Sequence, residues 1–167
     1  MFIDETGVNL SLVRSHGRAP RGLPVVDAVS AASWQSFTRI AGLRTNGVVA
    51  PWVFSGALNA QALQTWVEEV LLPELHEGDI VVWDNLKVHK DAATAELLKR
   101  HGVLLRYTPA YSPDLNPIEM TWSKVKSTLR RLRARTFDTL LGGLNTALGE
   151  ITLQDCINWF KQVGCCV

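Results

Sequence analysis

The sequence predicts an α/β domain in which a five-stranded mixed sheet carries helices on both faces. Three observations support this. Short, mainly apolar runs recur at 1–3, 80–83 and 103–107, with periodic helical stretches between and after them. Residues 37–43 and 48–55 are strand-like on either side of Asn46-Gly47, a tight-hairpin signal. The order strand, hairpin, helix, strand, helix, strand, helix supplies the crossovers that parallel strands need.

The chain opens Phe2-Ile3 into Asp4, so the first strand is expected to run straight into a carboxylate. Glu5 follows, and successive strand residues face opposite sides, so only one of the two acids can face a given site. Residues 11–27 contain Arg14, Arg18, Pro20, Arg21, Gly22 and Pro24 and read as a basic loop. Pro51 within the second hairpin strand indicates an edge position, because proline cannot donate to a neighbouring ladder. Asn59 is placed to cap a helix whose Leu63, Trp66, Val67 and Val70 fall at i, i+3, i+4 and i+7, with Pro73 as its stop.

Ile80-Val81-Val82-Trp83 is an unbroken apolar run, as in a strand covered on both faces, and Asp84-Asn85 closes it. Open α/β sheets place ligand crevices at the carboxyl ends of their strands, so Asp84 stands where chemistry is found. A helix over 92–100 closed by Gly102 and a strand over 103–107 follow. Asn116 then reads as an N-cap, Pro117 as the first helical residue, and Glu119 lies in the first turn. That spacing also suits a capping box, so a structural and a catalytic role for Glu119 stand level here. Along this helix Ile118, Trp122, Val125, Leu129 and Leu132 form one apolar face, Trp122 reading as core, and Glu119 sits about 100° from Ile118 at its border. Thr136 caps a helix over 137–149, and Thr152 with Asp155 caps another reaching Val163.

At 167 residues with 47% apolar composition the chain is expected to be one domain spanning 1–167. No apolar run approaches the ~20 residues of a membrane span, and the start lacks a signal-peptide layout, so a cytoplasmic protein is expected. The cysteines, Cys156, Cys165 and Cys166, lack metal or disulfide spacing and read as free thiols. Net charge is only +1, but Lys124, Lys126, Arg130, Arg131, Arg133 and Arg135 form a basic stretch free of acids after Glu119. It reads as a DNA-contacting helix face, with a solvated face as the alternative.

Asp4, Asp84 and Glu119 end or begin separate elements, and three carboxylates so placed can converge to hold two divalent cations. Their surroundings add to this. Phe-Ile-Asp-Glu-Thr, Val-Val-Trp-Asp-Asn-Leu-Lys-Val-His-Lys and Tyr-Ser-Pro-Asp-Leu-Asn-Pro-Ile-Glu resemble the three acidic motifs of insertion-sequence transposases in the mariner-related DDE superfamily. The 34 residues between Asp84 and Glu119 match the Asp-Asp-34-Glu subgroup.

The resemblance implies a ribonuclease H-like catalytic domain in which Asp4, Asp84 and Glu119 bind two magnesium ions, with manganese able to substitute. It implies DNA cleavage and strand transfer, with transposon ends and target DNA as partners. It also assigns metal binding to Asp4 rather than Glu5. Asn85, His89 and Asn116 belong to the motifs and are expected beside the ligands or the substrate, although a histidine near a helix start is more often a cap or surface residue. A helix-turn-helix region would normally precede such a domain, and residues 1–167 are expected to lack it, as one product of a split reading frame or a truncated remnant would; a homodimer or pairing with a separate N-terminal DNA-binding chain is also expected. A catalytically idle transposon remnant that binds DNA or a partner is the competing reading, and a general ribonuclease H-like nuclease a third.

Overall fold

The computed structural model describes residues 1–10, 12, 16–26 and 35–165. Arg14 of the expected basic loop and Cys166 lie outside them. The strands are β1 (Phe2–Asn9), β2 (Ser36–Arg44), β3 (Gly47–Ser55), β4 (Ile80–Trp83) and β5 (Leu104–Tyr107). The helices are α1 (Ala60–Trp66), α2 (Ala92–Arg100), α3 (Ile118–Leu132), α4 (Phe137–Gly149) and α5 (Leu153–Gln162). Among the described residues no helix is long and apolar enough to cross a membrane.

The sheet runs β3-β2-β1-β4-β5, with β1, β2 and β3 antiparallel and β4 parallel to both β1 and β5. Alternation along β1 sends its side chains to two cores. Ile3 packs with Ile40, Trp66, Val81, Trp83 and Leu98 on the face covered by α1 and α2. Val8 and Phe37 meet Val125 and Leu129 of α3 and Leu140 of α4 on the other face. Phe2, on that second face, packs edge-on against Phe160 of α5.

Three sequence expectations need correction. β1 does not stop at Asp4 but pairs with β2 as far as Asn9, because Thr6 and Val8 continue the inward alternation. β4 is not covered on both faces: Val81 and Trp83 are fully buried, while Ile80 and its neighbour Leu104 are each about half exposed. Helices α3 to α5 cover that face over β1 and β2 and leave it open towards β5. The hairpin turn centres on Thr45-Asn46, with Gly47 already paired to Arg44.

Pro51 does lie on the edge strand. There Ala50 takes a φ of 52° and the register with β2 shifts between Ile40 and Gly42, so the edge carries a bulge. Asn59 and Asp91 cap α1 and α2 through the N–H groups of Ala62 and Thr94. Gly102, at φ 70°, closes α2 and lets the Val103 N–H reach Leu98 O at 3.0 Å. Along α3 the buried stripe stops at Leu129, and Leu132 is 43% exposed at the helix end. The Thr136 and Thr152 caps form reciprocal boxes with Thr139 and Asp155. Thr152→Ala should lower stability by about 1 kcal/mol, read as a fall in urea midpoint at unchanged slope.

Candidate active site

Strand register brings the first two acids together. Phe2 pairs with Val82 in the parallel β1–β4 ladder, so two residues further on Asp4 comes level with Asp84 on the same face. Asp4 is therefore a mid-strand residue, 7% exposed, whereas Asp84 sits just beyond the end of β4. Glu119 joins them from the exposed first turn of α3. All three line one cavity of about 280 Å³, together with Asn85, Tyr111 and Asn116.

The start of α3 decides between the two roles weighed for Glu119. The Asn116 N–H donates to Pro113 O at 3.0 Å, within a helical turn over Pro113–Leu115, so the reciprocal bond of a capping box is not made. Asn116, itself buried, instead accepts from the Ile118 N–H through Oδ1 at 3.4 Å. Among the described residues the Glu119 carboxylate makes no capping bond, and it is left facing the cavity.

Each aspartate is held from behind. Trp122, one helical turn from Glu119, donates its indole N–H to Asp4 Oδ2 at 3.1 Å, so it is core and site support at once. Asp84 Oδ1 accepts from the Leu86 N–H at 3.2 Å and meets Nδ1 of His89. His89 is neither a cap nor a surface residue. It is fully buried, stacked on Trp83 with ring centroids 4.7 Å apart, and its Nε2 stands 3.0 Å from Oε2 of Glu5, in ion-pair contact without hydrogen-bond alignment. Glu5 thus faces the α1–α2 side while Asp4 faces the cavity. His89 supports Asp84 rather than lining the cavity, whereas Asn85 and Asn116 do line it.

The electrostatics follow from this crowding. Burial first, then the charges of Glu5, Glu119 and Asp84, push the Asp4 carboxyl up to about 8. Burial alone would depress His89, but its contacts with Asp84 and Glu5 outweigh that and raise it to about 9. Among the described residues no three His, Cys, Asp or Glu side chains form a ready-made cation cage. The donor set nonetheless suits magnesium or manganese: hard carboxylate oxygens, crowded enough that a cation between them relieves their repulsion.

The basic stretch does not share one face. Lys124 donates to Asp155 Oδ2 at 2.6 Å and to Glu150 O at 2.7 Å, and Arg131 pairs with Glu150, both towards the α4–α5 junction. Lys126 and Arg130 follow Glu119 at i+7 and i+11 and so lie along its side of α3. Arg133 and Arg135 fall beyond the helix end.

A family model described as a DDE superfamily endonuclease matches residues 1–141. The chain belongs to the DDE superfamily of endonucleases. No curated protein matches it in sequence. Among solved structures, this DDE domain overlays a pre-cleavage Mos1 transpososome with a TM-score of 0.80 at 14% identity, covering 97% of this chain and 52% of that one. It overlays the catalytic domain of Mos1 mariner transposase with a TM-score of 0.70 at 16% identity, covering 97% and 76%. The Mos1 mariner paired-end complex with manganese gives 0.75 at 15% identity, covering 97% and 51%. The DDE domain therefore has the ribonuclease H-like fold, and it spans about half the length of the transposase chain in those complexes.

Proposed function

We propose that this DDE domain is the catalytic part of an insertion-sequence transposase that cuts DNA at transposon ends and joins it to a target. The observation that carries this reading is the β1–β4 register, which sets Asp4 beside Asp84 at the cavity where Glu119 also ends. Asp4, Asp84 and Glu119 would hold two magnesium ions, with manganese able to substitute. When bound, such ions activate the attacking oxygen and stabilise the leaving 3′ oxygen of an in-line displacement at phosphorus.

The chain's own residues supply position. His89 and the Leu86 N–H fix one oxygen of Asp84, and Trp122 fixes one oxygen of Asp4, so both carboxylates are held in place at the cavity they line. Pro113, Asn116 and Pro117 set the entry into α3 and hence the position of Glu119. Asn85 and Asn116 offer amides to the substrate at the cavity wall. The domain would work in the cytoplasm on chromosomal DNA, as a homodimer or paired with a DNA-binding chain.

Plasmid nicking tests the reading. Supercoiled DNA should be nicked with manganese and left intact with EDTA, and equal activity in both, or none with any divalent cation, would overturn it in favour of an idle DNA-binding domain. DNA contact is assigned to Lys126 and Arg130, since Lys124 and Arg131 are engaged within the protein. Each phosphate contact adds about −0.9 to the slope of log K on log salt, so removing both charges should flatten the slope by about 2. An unchanged slope would return these two residues to a solvated face.

A further inference from the structure

We infer that Tyr111 is a stacking platform for one unpaired nucleotide beside the reacting phosphate, so that the cavity takes DNA with a base drawn out of its stack. The inference deepens the reading proposed above and rests on it for DNA reaching this cavity.

A single exposed aromatic is ordinary on a protein surface. Three observations set Tyr111 apart. It lines the cavity shared by Asp4, Asp84 and Glu119. Its side chain is fully exposed, and no hydrogen bond or ring contact engages it among the described residues. Its backbone stands in the left-handed region at φ 57°, an uncommon and strained setting for a bulky residue. The protein holds that setting from both sides. The Thr108 N–H donates to Trp83 O at 2.8 Å, which ties the start of the loop to β4, and the Leu115 N–H donates to Ser112 O at 3.2 Å at its end. Pro109 and Pro113 flank the residue, each with a φ fixed by its ring. The aromatic ring is thus presented by a stiff loop instead of being packed into the fold.

The cavity selects the occupant. Cations held by the three acids would draw a phosphodiester, which arrives with bases attached. At about 280 Å³ the cavity lies at the lower edge of small-ligand sites, roughly 300–1,000 Å³, so it suits one nucleotide and not a stacked base pair. Leu86, half exposed, lines the same cavity and offers a base further apolar surface. Every base has a π-face, so stacking on Tyr111 would be indifferent to sequence. Extruding a base from a duplex is costly, and an aromatic that receives it offsets part of the cost.

Fluorescence anisotropy of a labelled single strand tests this, with calcium as the cation for the carboxylates. A short oligothymidylate is compared with a strand of equal length and charge built from abasic sugars. The parent should bind the base-bearing strand roughly 5- to 150-fold more tightly, the worth of one stacked base. Tyr111→Gly preserves the backbone conformation, since glycine enters the left-handed region freely. It should melt no lower than the parent while losing most of the preference. Tyr111→Phe and Tyr111→Trp should keep it, because the ring and not the hydroxyl makes the contact. The slope of log K on log salt should be the same in the parent and Tyr111→Gly, as no phosphate contact is removed. No preference in the parent, a preference retained in Tyr111→Gly, or one lost in Tyr111→Phe would overturn the inference. Plasmid nicking with manganese separates the two readings. A parent that nicks without a Tyr111-dependent preference overturns the stacking alone, whereas one that shows the preference but never nicks overturns the catalysis and leaves the stacking in place.

Discussion

Glu119→Gln is expected to abolish plasmid nicking, by at least about 10³-fold, while the metal-free variant melts at or above the parent temperature. The two effects have one cause. Asp4, Asp84 and Glu119 crowd negative charge around one cavity, which burdens the fold without a cation and creates the site with one. A cation that binds only the folded state stabilises it by about 2.7 kcal/mol at one hundred times its Kd, so the parent should gain several degrees with manganese. Asp84→Asn and Glu119→Gln should lose most of that gain. Asp4 adds a pH signature. Its carboxyl is raised to about 8 against an ordinary 3.8, so the folded state holds a proton that the unfolded state has lost. The apo protein should therefore lose stability on this account as pH rises from about 4 to 8, and Asp4→Asn should remove that part of the slope. A full manganese shift retained in both Asp84→Asn and Glu119→Gln would sink the shared-site reading.

His89→Leu should be the most damaging change outside the three acids. It leaves Asp84 and Glu5 near each other with no cation between them, a broken buried pair costing about 3 kcal/mol once discounted for the partial exposure of Asp84. The sign with pH is fixed by the folded pKa of about 9, above the ordinary 6.5. The advantage of the parent over the variant should be complete below about 6.5 and disappear as pH rises through 9. Chemical melts of the metal-free proteins across that range measure it. A difference independent of pH would mean that His89 acts by packing on Trp83 rather than by charge. Nicking should also fall, because Asp84 loses the contact that fixes one of its oxygens.

Much of the architecture was legible because its signals are local. Asn59, Gly102, Thr136 and Thr152 each end or begin a helix through bonds to residues three to five positions away, and the helices start and stop where those residues stand. The pairing of Asp4 with Asp84 needed the strand order as well, which the family motifs implied and the register shows. The motif put His89 near Asp84, but its burial could not be read, since nothing near it in sequence announces that Trp83 provides a buried seat or that Glu5 reaches it from β1. The division of the basic stretch was readable in principle. Lys124 and Arg131 are seven residues apart and Lys126 and Arg130 four, so helical periodicity already puts them in two rows; what it lacked was the acids, Glu150 and Asp155, that claim one row. Likewise the apolar letters of β4 were right about Val81 and Trp83, but only the placement of α3 to α5 tells which face of the sheet stays open.

Asp155 closes the α5 cap by accepting from the Thr152 N–H and hydroxyl, both at 2.8 Å, and the same carboxylate receives the Lys124 ammonium from the middle of α3. The final helix is therefore not free to fray as an independent tail. Opening its first turn also frees the cation on the helix that carries Glu119, so the amides of both regions should exchange with solvent as one cooperative unit. Lys124 foremost, with the Thr152 bonds, holds the Asp155 carboxyl near 2 rather than 3.8. Acidification across that interval would uncouple the two helices together, loosening the support of Glu119 from a point two helices away.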